Sequence, residues 1–231
     1  MTQSATKDAR MKITCISAAN IEVAREHSAS VRACELVRDL LHEEHPHTQV
    51  EILPLIDYEM KPCRMCGKCL KTERCARDEA FNQVFEKMIA ADAIFVVVPH
   101  YAPLPSKLMM LFEKMEEIAF MNWCANAEYR FPLYQKPAGV IGHGGQVATD
   151  EVLAYYKRML VEPVAAALGS VAMRVIGAGE DGPNGVAFGI RSINKREDSI
   201  FIDIQHDWDE VRRRIAPLVR QVSAAAAAGN R

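Results

Sequence analysis

Ala93-Ile94-Phe95-Val96-Val97-Val98, closed by Pro99, is the stretch on which the fold turns. Six apolar residues in a row, several of them β-branched, show no polar alternation, so the strand they form must be buried on both faces. Working outward, Lys12 to Ser17 (KITCIS) and Gln49 to Leu53 read as two earlier strands, the second stopped by Pro54. Ala138 to Ile141 and Val171 to Ile176 read as two later ones. Helical periodicity fills the intervals. Ser28 to His42 places Val31, Cys34, Leu36, Val37, Leu40 and Leu41 on or near one face, and Asp78 is fitted to cap a helix reaching about Ala91. A Met-rich helix spans Pro105 to Ile118. Another spans Asp150 to Leu168, with a break expected near Pro163, and a last one spans Trp208 to Val222. Strand and helix alternate five times. This predicts an α/β, doubly wound, five-stranded parallel sheet in the order 2-1-3-4-5.

Composition bounds the rest. The chain has 231 residues, 49% of them hydrophobic, enough for one large domain with a full core. That domain is expected over residues 11–223, with a flexible start over 1–10, an extension over 177–206 and a frayed Ala-rich tail over 224–231. A net charge of −2 gives no overall basic field, which argues against nucleic acid as a partner. No apolar run is long enough to span a membrane, and the first ten residues lack a signal-peptide core, so a cytoplasmic location is expected. Cys15, Cys34 and Cys124 stand apart from one another and read as buried packing residues. An aromatic segment, Phe120 to Gln135, is expected either to extend the core or to cover a subunit interface.

The remaining four cysteines fall within residues 60–78, in the loop after the second strand: Cys63-Arg-Met-Cys66-Gly-Lys-Cys69-Leu-Lys-Thr-Glu-Arg-Cys75. Thiolates at C-x2-C-x2-C-x5-C spacing can wrap a compact inorganic core, the spacing logic of a cubane [4Fe-4S] cluster. A zinc site would use the same thiolates, although zinc usually takes two separated C-x-x-C pairs. Disulfides or unliganded thiols are the third reading. Six basic residues (Lys61, Arg64, Lys68, Lys71, Arg74, Arg77) surround them against a single acid, Glu73. Such charge would stabilise an anionic cluster or steer an acidic electron carrier; a solvated basic loop is the plainer alternative.

In a doubly wound sheet, ligands bind beyond the carboxyl ends of the strands where the winding reverses, here between strands one and three. Three loops meet there. The first offers Ser17, Arg25, His27, Ser28 and Ser30 ahead of a helix, suited to holding a phosphate through hydroxyls, cations and backbone N–H groups. Ordinary helix capping by Ser28 or Ser30 is the competing explanation. The second, Pro99-His100-Tyr101-Ala102-Pro103-Leu104, can form a stiff wall for a planar cofactor, with Tyr101 stacking and His100 hydrogen-bonding. The third, Gly142-His143-Gly144-Gly145, lets backbone approach a ligand closely. His143 is read as a packing residue ahead of a proton donor.

From Met60 to Met115 the chain resembles the iron–sulfur flavoproteins within the flavodoxin-like NAD(P)H-dependent FMN reductase superfamily. The resemblance is carried by Lys61-Pro62-Cys63 through Cys75, Asp78, Ala91-Asp92 and Val98-Pro99-His100-Tyr101. It implies FMN phosphate in the Ser17–Ser30 loop and the isoalloxazine among Pro99 to Leu104 and Gly142 to Gly145. It also implies a [4Fe-4S] cluster on Cys63, Cys66, Cys69 and Cys75. The implied activity is electron transfer between a donor, NAD(P)H or a ferredoxin-like carrier, and an acceptor, in a homodimer or homotetramer. An FMN-only NAD(P)H-dependent quinone or FMN reductase and a non-catalytic redox sensor or carrier are the alternatives. The first loop departs from the pattern: Ala18-Ala19-Asn20 follows strand one directly, and Arg25 comes late.

Overall fold

The computed structural model describes residues 11–21, 28–180, 182–195 and 202–229. Eight strands form: β1 (Lys12–Ser17), β2 (Gln49–Pro54), β3 (Ala93–Pro99), β4 (Pro137–Val147), β5 (Arg174–Val175), β6 (Val186–Ile190), β7 (Ser192–Lys195) and β8 (Ile202–Gln205). Six α-helices accompany them: α1 (Ala29–Glu44), α2 (Glu79–Ala90), α3 (Ser106–Ala125), α4 (Asp150–Tyr156), α5 (Glu162–Ser170) and α6 (Trp208–Gly229). The sheet runs β2-β1-β3-β4-β5, parallel throughout, as the alternation of elements predicts.

β3 is buried along its whole length. Ile94, Val96 and Val98 face the core built with α2, α3 and α5, while Ala93, Phe95 and Val97 face the core built with α1 and α6. Burying each large side chain on either face contributes about 1.5–3 kcal/mol, which is why the central strand carries no polar residue. The register sets Ser17 of β1 opposite Val97 of β3, and Pro99 opposite His143 of β4, so the three expected loops do leave one edge.

Several elements differ from the sequence reading. β4 does not stop at Ile141 but continues to Val147, because β6 pairs with it from Ile141↔Val186 to His143↔Phe188 and again at Val147↔Ile190. Gly142 to Gly145 are therefore strand, not loop. β6 itself lies inside the region expected as an extension, and it joins the main sheet; β7 and β8 form a separate antiparallel hairpin. The long helix is interrupted just before Pro163, where the sequence predicts a break or kink. The preceding turn, Lys157–Val161, widens to a π-helical turn, which gives the proline ring room where an α-turn would press it on the carbonyl four residues back. Finally, the Ala-rich tail is helical to Gly229, because Val222, Ala225 and Ala226 continue the buried stripe of Val211, Ile215, Leu218 and Val219.

Cys15 and Cys34 are fully buried, as expected, whereas Cys124 is exposed at the end of α3. The aromatic segment divides: Phe131 is buried against Phe85, with ring centroids 5.5 Å apart, while Phe120 and Tyr134 are exposed.

Candidate functional site

At the carboxyl end of β1, Ser17 and Ser28 are both buried, and neither Oγ has a hydrogen-bond partner among the described residues. Ser28 occupies the N-cap of α1 yet makes no side-chain cap. A buried hydroxyl without a partner costs about 1–3 kcal/mol. Two such groups at a helix N-terminus, where backbone N–H groups are free, fit an anionic group such as the phosphate of FMN. Ser30, in the first turn of α1, is committed elsewhere: its Oγ is hydrogen-bonded to His143 Nε2 at 2.7 Å. Arg25 and His27 lie outside the described residues.

The neighbouring edge is tied together by backbone. The His100 N–H donates to the His143 carbonyl at 2.8 Å, and the Ala18 N–H to Val97 at 2.9 Å. Pro99 is buried as the last residue of β3; His100, Tyr101 and Leu104 are half-buried, and Ala102 is exposed in the left-handed region (φ 54°). Burial pushes the Tyr101 hydroxyl up, opposed by a hydrogen bond with the backbone of Asn20 that brings the first and second loops together. His100 Nε2 and Tyr155 Oη are hydrogen-bonded at 2.9 Å. His143 stacks on Phe188 with centroids 4.9 Å apart, and burial, with His206 nearby, pushes its pKa down to about 3. It is a neutral packing residue. Two of the glycines have internal reasons. A Cβ on Gly142 would stand 3.0 Å from Val161, and one on Gly144 would stand 2.4 Å from Tyr156 Oη. Gly145 alone faces open space.

The four cysteines line one cavity of about 630 Å³, together with Lys61, Arg64, Lys68, Arg77 and Lys114. Cys69 is buried, Cys63 and Cys75 are half-buried, and Cys66 is exposed; burial pushes the Cys69 thiol up. Among the described residues, no three His, Cys, Asp or Glu side chains stand close enough to hold a single metal ion. The thiols thus share a cavity without converging on one ionic centre, which does not fit zinc. The Met65 N–H already points at Cys63 Sγ, 3.5 Å away.

This loop is bent hard. Met65, Lys71 and Glu73 join Gly67 in the left-handed region, at roughly 1–2 kcal/mol for each non-glycine residue. Side chains of α2 and α3, together with Asp78 at the N-cap of α2, offset that strain. Asp78 accepts the Lys61 N–H at 2.7 Å and the Phe81 N–H at 3.0 Å. Lys114 pairs with Asp78 at 3.0 Å and donates to the Lys61 carbonyl. Asn82 accepts the Cys75 N–H at 2.8 Å and donates to the Cys75 carbonyl at 3.0 Å. Asn122 accepts the Lys71 N–H at 3.0 Å, and Glu113 accepts the Cys63 N–H at 3.3 Å. Six ties to the loop backbone at about 1 kcal/mol each are of the same size as the strain they oppose. Asp78 was legible as a cap. Asn82, Lys114 and Asn122 were not singled out, although each is a polar residue set among apolar ones in its helix.

The family described as NADPH-dependent FMN reductase matches residues 11–176, nearly three-quarters of the chain. The chain belongs to this family. Its sheet order is that of the flavodoxin-like fold. Among curated proteins it is 39% identical over 57 residues to an iron-sulfur flavoprotein of Methanosarcina thermophila, covering 24% of this chain and 30% of that protein. It is 42% identical over 67 residues to an iron-sulfur flavoprotein of Archaeoglobus fulgidus, covering 29% of this chain and 30% of that protein. The chain thus spans about a third of the length of these relatives. In fold it is similar to an oxidoreductase from Corynebacterium diphtheriae, with a TM-score of 0.59, 13% identity, and coverage of 94% of this chain and 97% of that one. Among the described residues, no helix is long and apolar enough to cross a membrane.

Proposed function

We propose that this chain is an FMN-dependent oxidoreductase that takes reducing equivalents from NAD(P)H and passes them to a small acceptor such as a quinone or free flavin. FMN would be held at the edge formed by the carboxyl ends of β1, β3 and β4. The observation that carries the reading is the pair of buried hydroxyls without a partner among the described residues, Ser17 at the end of β1 and Ser28 at the N-cap of α1. In this reading they bind the phosphate with the first backbone N–H groups of α1, and Ser30 orients His143. Arg25 and His27 supply positive charge from the same loop. Pro99, His100, Tyr101, Ala102 and Leu104 flank one side of the isoalloxazine. Gly142, His143, Gly144 and Gly145 provide the floor, where Gly145 has space for a ligand atom. When bound, FMN would supply hydride and single-electron redox chemistry that the side chains lack. A homodimer or homotetramer belongs to the same reading and rests on the sequence resemblance, while a cytoplasmic location rests on the polar N-terminal residues and the lack of a long apolar run.

A second reading is favoured by one observation: all four cysteines of the C-x2-C-x2-C-x5-C motif line a single cavity rimmed by cations. Cys63, Cys66, Cys69 and Cys75 would hold a [4Fe-4S] cluster there, and a ferredoxin-like carrier would be a candidate donor. Lys114 and Ile118, in the cavity wall, stand roughly 12 and 18 Å along α3 from the helix start that follows the Pro99–Leu104 loop.

Anaerobic purification followed by visible spectroscopy, iron and sulfide assay, and NAD(P)H oxidation with a soluble quinone separates the readings. A flavin spectrum with turnover supports the first, and about four iron and four sulfide per chain support the second. A protein that never binds FMN overturns both.

A further inference from the structure

Among the described residues, every buried aspartate, asparagine and lysine side chain serves the cysteine loop: Asp78, Asn82, Lys114 and Asn122. Buried polar side chains are costly unless satisfied, so their concentration on one exposed loop calls for a reason. Asn122 acts in its middle, on Lys71, and the other three act at its two ends. Lys61, two residues before the first cysteine, has its N–H held by Asp78 and its carbonyl held by Lys114. Cys75, the last cysteine, has both its N–H and its carbonyl held by the one amide of Asn82. None of these ties uses a sulfur atom. The side chains come from α2, its N-cap and α3, elements anchored in the core through Phe81, Phe85, Met115 and Ile118.

We propose that Asn82, together with the Asp78–Lys114 pair, is a positioning device that fixes both ends of the cysteine loop in the metal-free chain. A metal–sulfide group then enters a loop already folded rather than folding it. Small metal sites commonly order only when the metal binds, because the ligand bonds are what holds them. Here the backbone on either side of the four thiols is satisfied by side chains of α2, its N-cap and α3, with no sulfur atom engaged. The proposal rests on the cluster reading for the identity of the guest; the clamp itself stands on the hydrogen bonds described.

The test uses the full chain with FMN, before and after anaerobic reconstitution with iron and sulfide. Hydrogen exchange on the chelator-treated protein should find the Lys61 and Cys75 amides protected. In Asn82→Ala, protection at Cys75 should fall about tenfold or more, while amides of β3 keep theirs. After reconstitution, Asn82→Ala should hold less iron per chain and give a broadened EPR signal. Asn82→Asp, which keeps the acceptor for the Cys75 N–H, should recover part of both; it also serves alone if Asn82→Ala does not fold. The proposal is overturned if the Lys61 and Cys75 amides of the metal-free wild type exchange freely and gain protection only with iron. It is equally overturned if Asn82→Ala loads and gives spectra like the wild type. A wild type that takes up no iron or sulfide removes the cluster reading, and the exchange measurement still decides the clamp.

Discussion

Ser30 and His143 join the first turn of α1 to the middle of β4 through a 2.7 Å side-chain hydrogen bond. Both are buried, and the imidazole is further held by its stack on Phe188. The contact fixes the spacing between two of the three segments that frame the proposed flavin site. It also removes His143 from proton chemistry, since an enclosed ring with no acid beside it stays neutral.

That neutrality sets a pH dependence. The folded-state pKa of His143 is pushed down to about 3, by burial first and then by His206, against about 6.5 in an unfolded chain. Between those values the unfolded state binds the proton and the folded state does not. Stability therefore falls as pH drops below about 6.5, by at most ~1.4 kcal/mol per unit from this group. His206 is shifted in the same direction by burial, so some slope persists without His143. Urea unfolding from pH 7 to pH 4 should show a shallower loss for His143→Asn than for the wild type. An unchanged slope would mean that His143 is protonated in the folded protein.

Ser28→Ala separates a ligand role from a capping role. The hydroxyl makes no cap and has no partner among the described residues, so its removal should leave the melting temperature of the FMN-free protein unchanged or slightly raised. An ordinary N-cap would instead cost about 1 kcal/mol. If the hydroxyl meets a phosphate, FMN affinity should fall about tenfold or more, as expected for a hydrogen bond to a charged group. Fluorescence titration of FMN alongside thermal melts gives both numbers.

Much of this architecture could be read from residues. The all-apolar β3 required burial on both faces, and the alternation of elements then left little choice of sheet. Asp78 announced its helix. Where the reading failed, one signal masked another. Glycines at 142, 144 and 145 suggested a loop, yet Gly142 and Gly144 make room for Val161 and Tyr156 behind a continuing strand. A run of alanines suggested fraying, yet Ala225 and Ala226 keep the spacing of the apolar stripe on α6. The clamp on the cysteine loop was hidden because Lys114 and Asn122 act on backbone groups more than fifty residues away, which no local pattern encodes, and Asn82 reaches back seven residues across a helix start to Cys75.

The buried ion pair in that clamp is expected to be strongly non-additive. Side chains of Asp78 and Lys114 are 2% and 3% exposed and 3.0 Å apart. Lys114→Met leaves a carboxylate enclosed without its cation, a loss of about 3–5 kcal/mol. Asp78→Asn in that background removes the stranded charge, and the double variant should be more stable than Lys114→Met alone. Acid should act in the same sense. Burial pushes the Asp78 carboxyl up, but hydrogen bonds from Lys61 and Phe81 and the Lys114 ammonium outweigh it and hold the pKa below the ordinary value. Its contribution is complete above about pH 4 and disappears as pH falls through the lowered folded value. A double-mutant cycle by urea unfolding at pH 7 measures the coupling; additive single effects would mean that the pair does not form.

The glycines of β4 offer the sharpest contrast between folding and binding. A Cβ on Gly144 would lie 2.4 Å from Tyr156 Oη and 2.5 Å from its Cζ, so Gly144→Ala must displace the whole ring. That ring is 1% exposed, accepts the Gln146 N–H at 3.0 Å and packs on His100 and Tyr155. Overpacking of this kind costs about 1–3 kcal/mol. Tyr156→Phe removes the nearest contact but leaves the ring carbon in place, so it should rescue Gly144→Ala only slightly. Tyr156→Leu removes both, and its combination with Gly144→Ala should lose less stability than the two changes summed. One residue on, a Cβ at Gly145 meets nothing within 4 Å, so Gly145→Ala should stay within about 0.5 kcal/mol of the wild type. If FMN occupies the space outside Gly145, the same substitution should weaken flavin binding without touching stability. Loss of stability at Gly145 comparable to that at Gly144, with unchanged flavin affinity, would place the ring elsewhere.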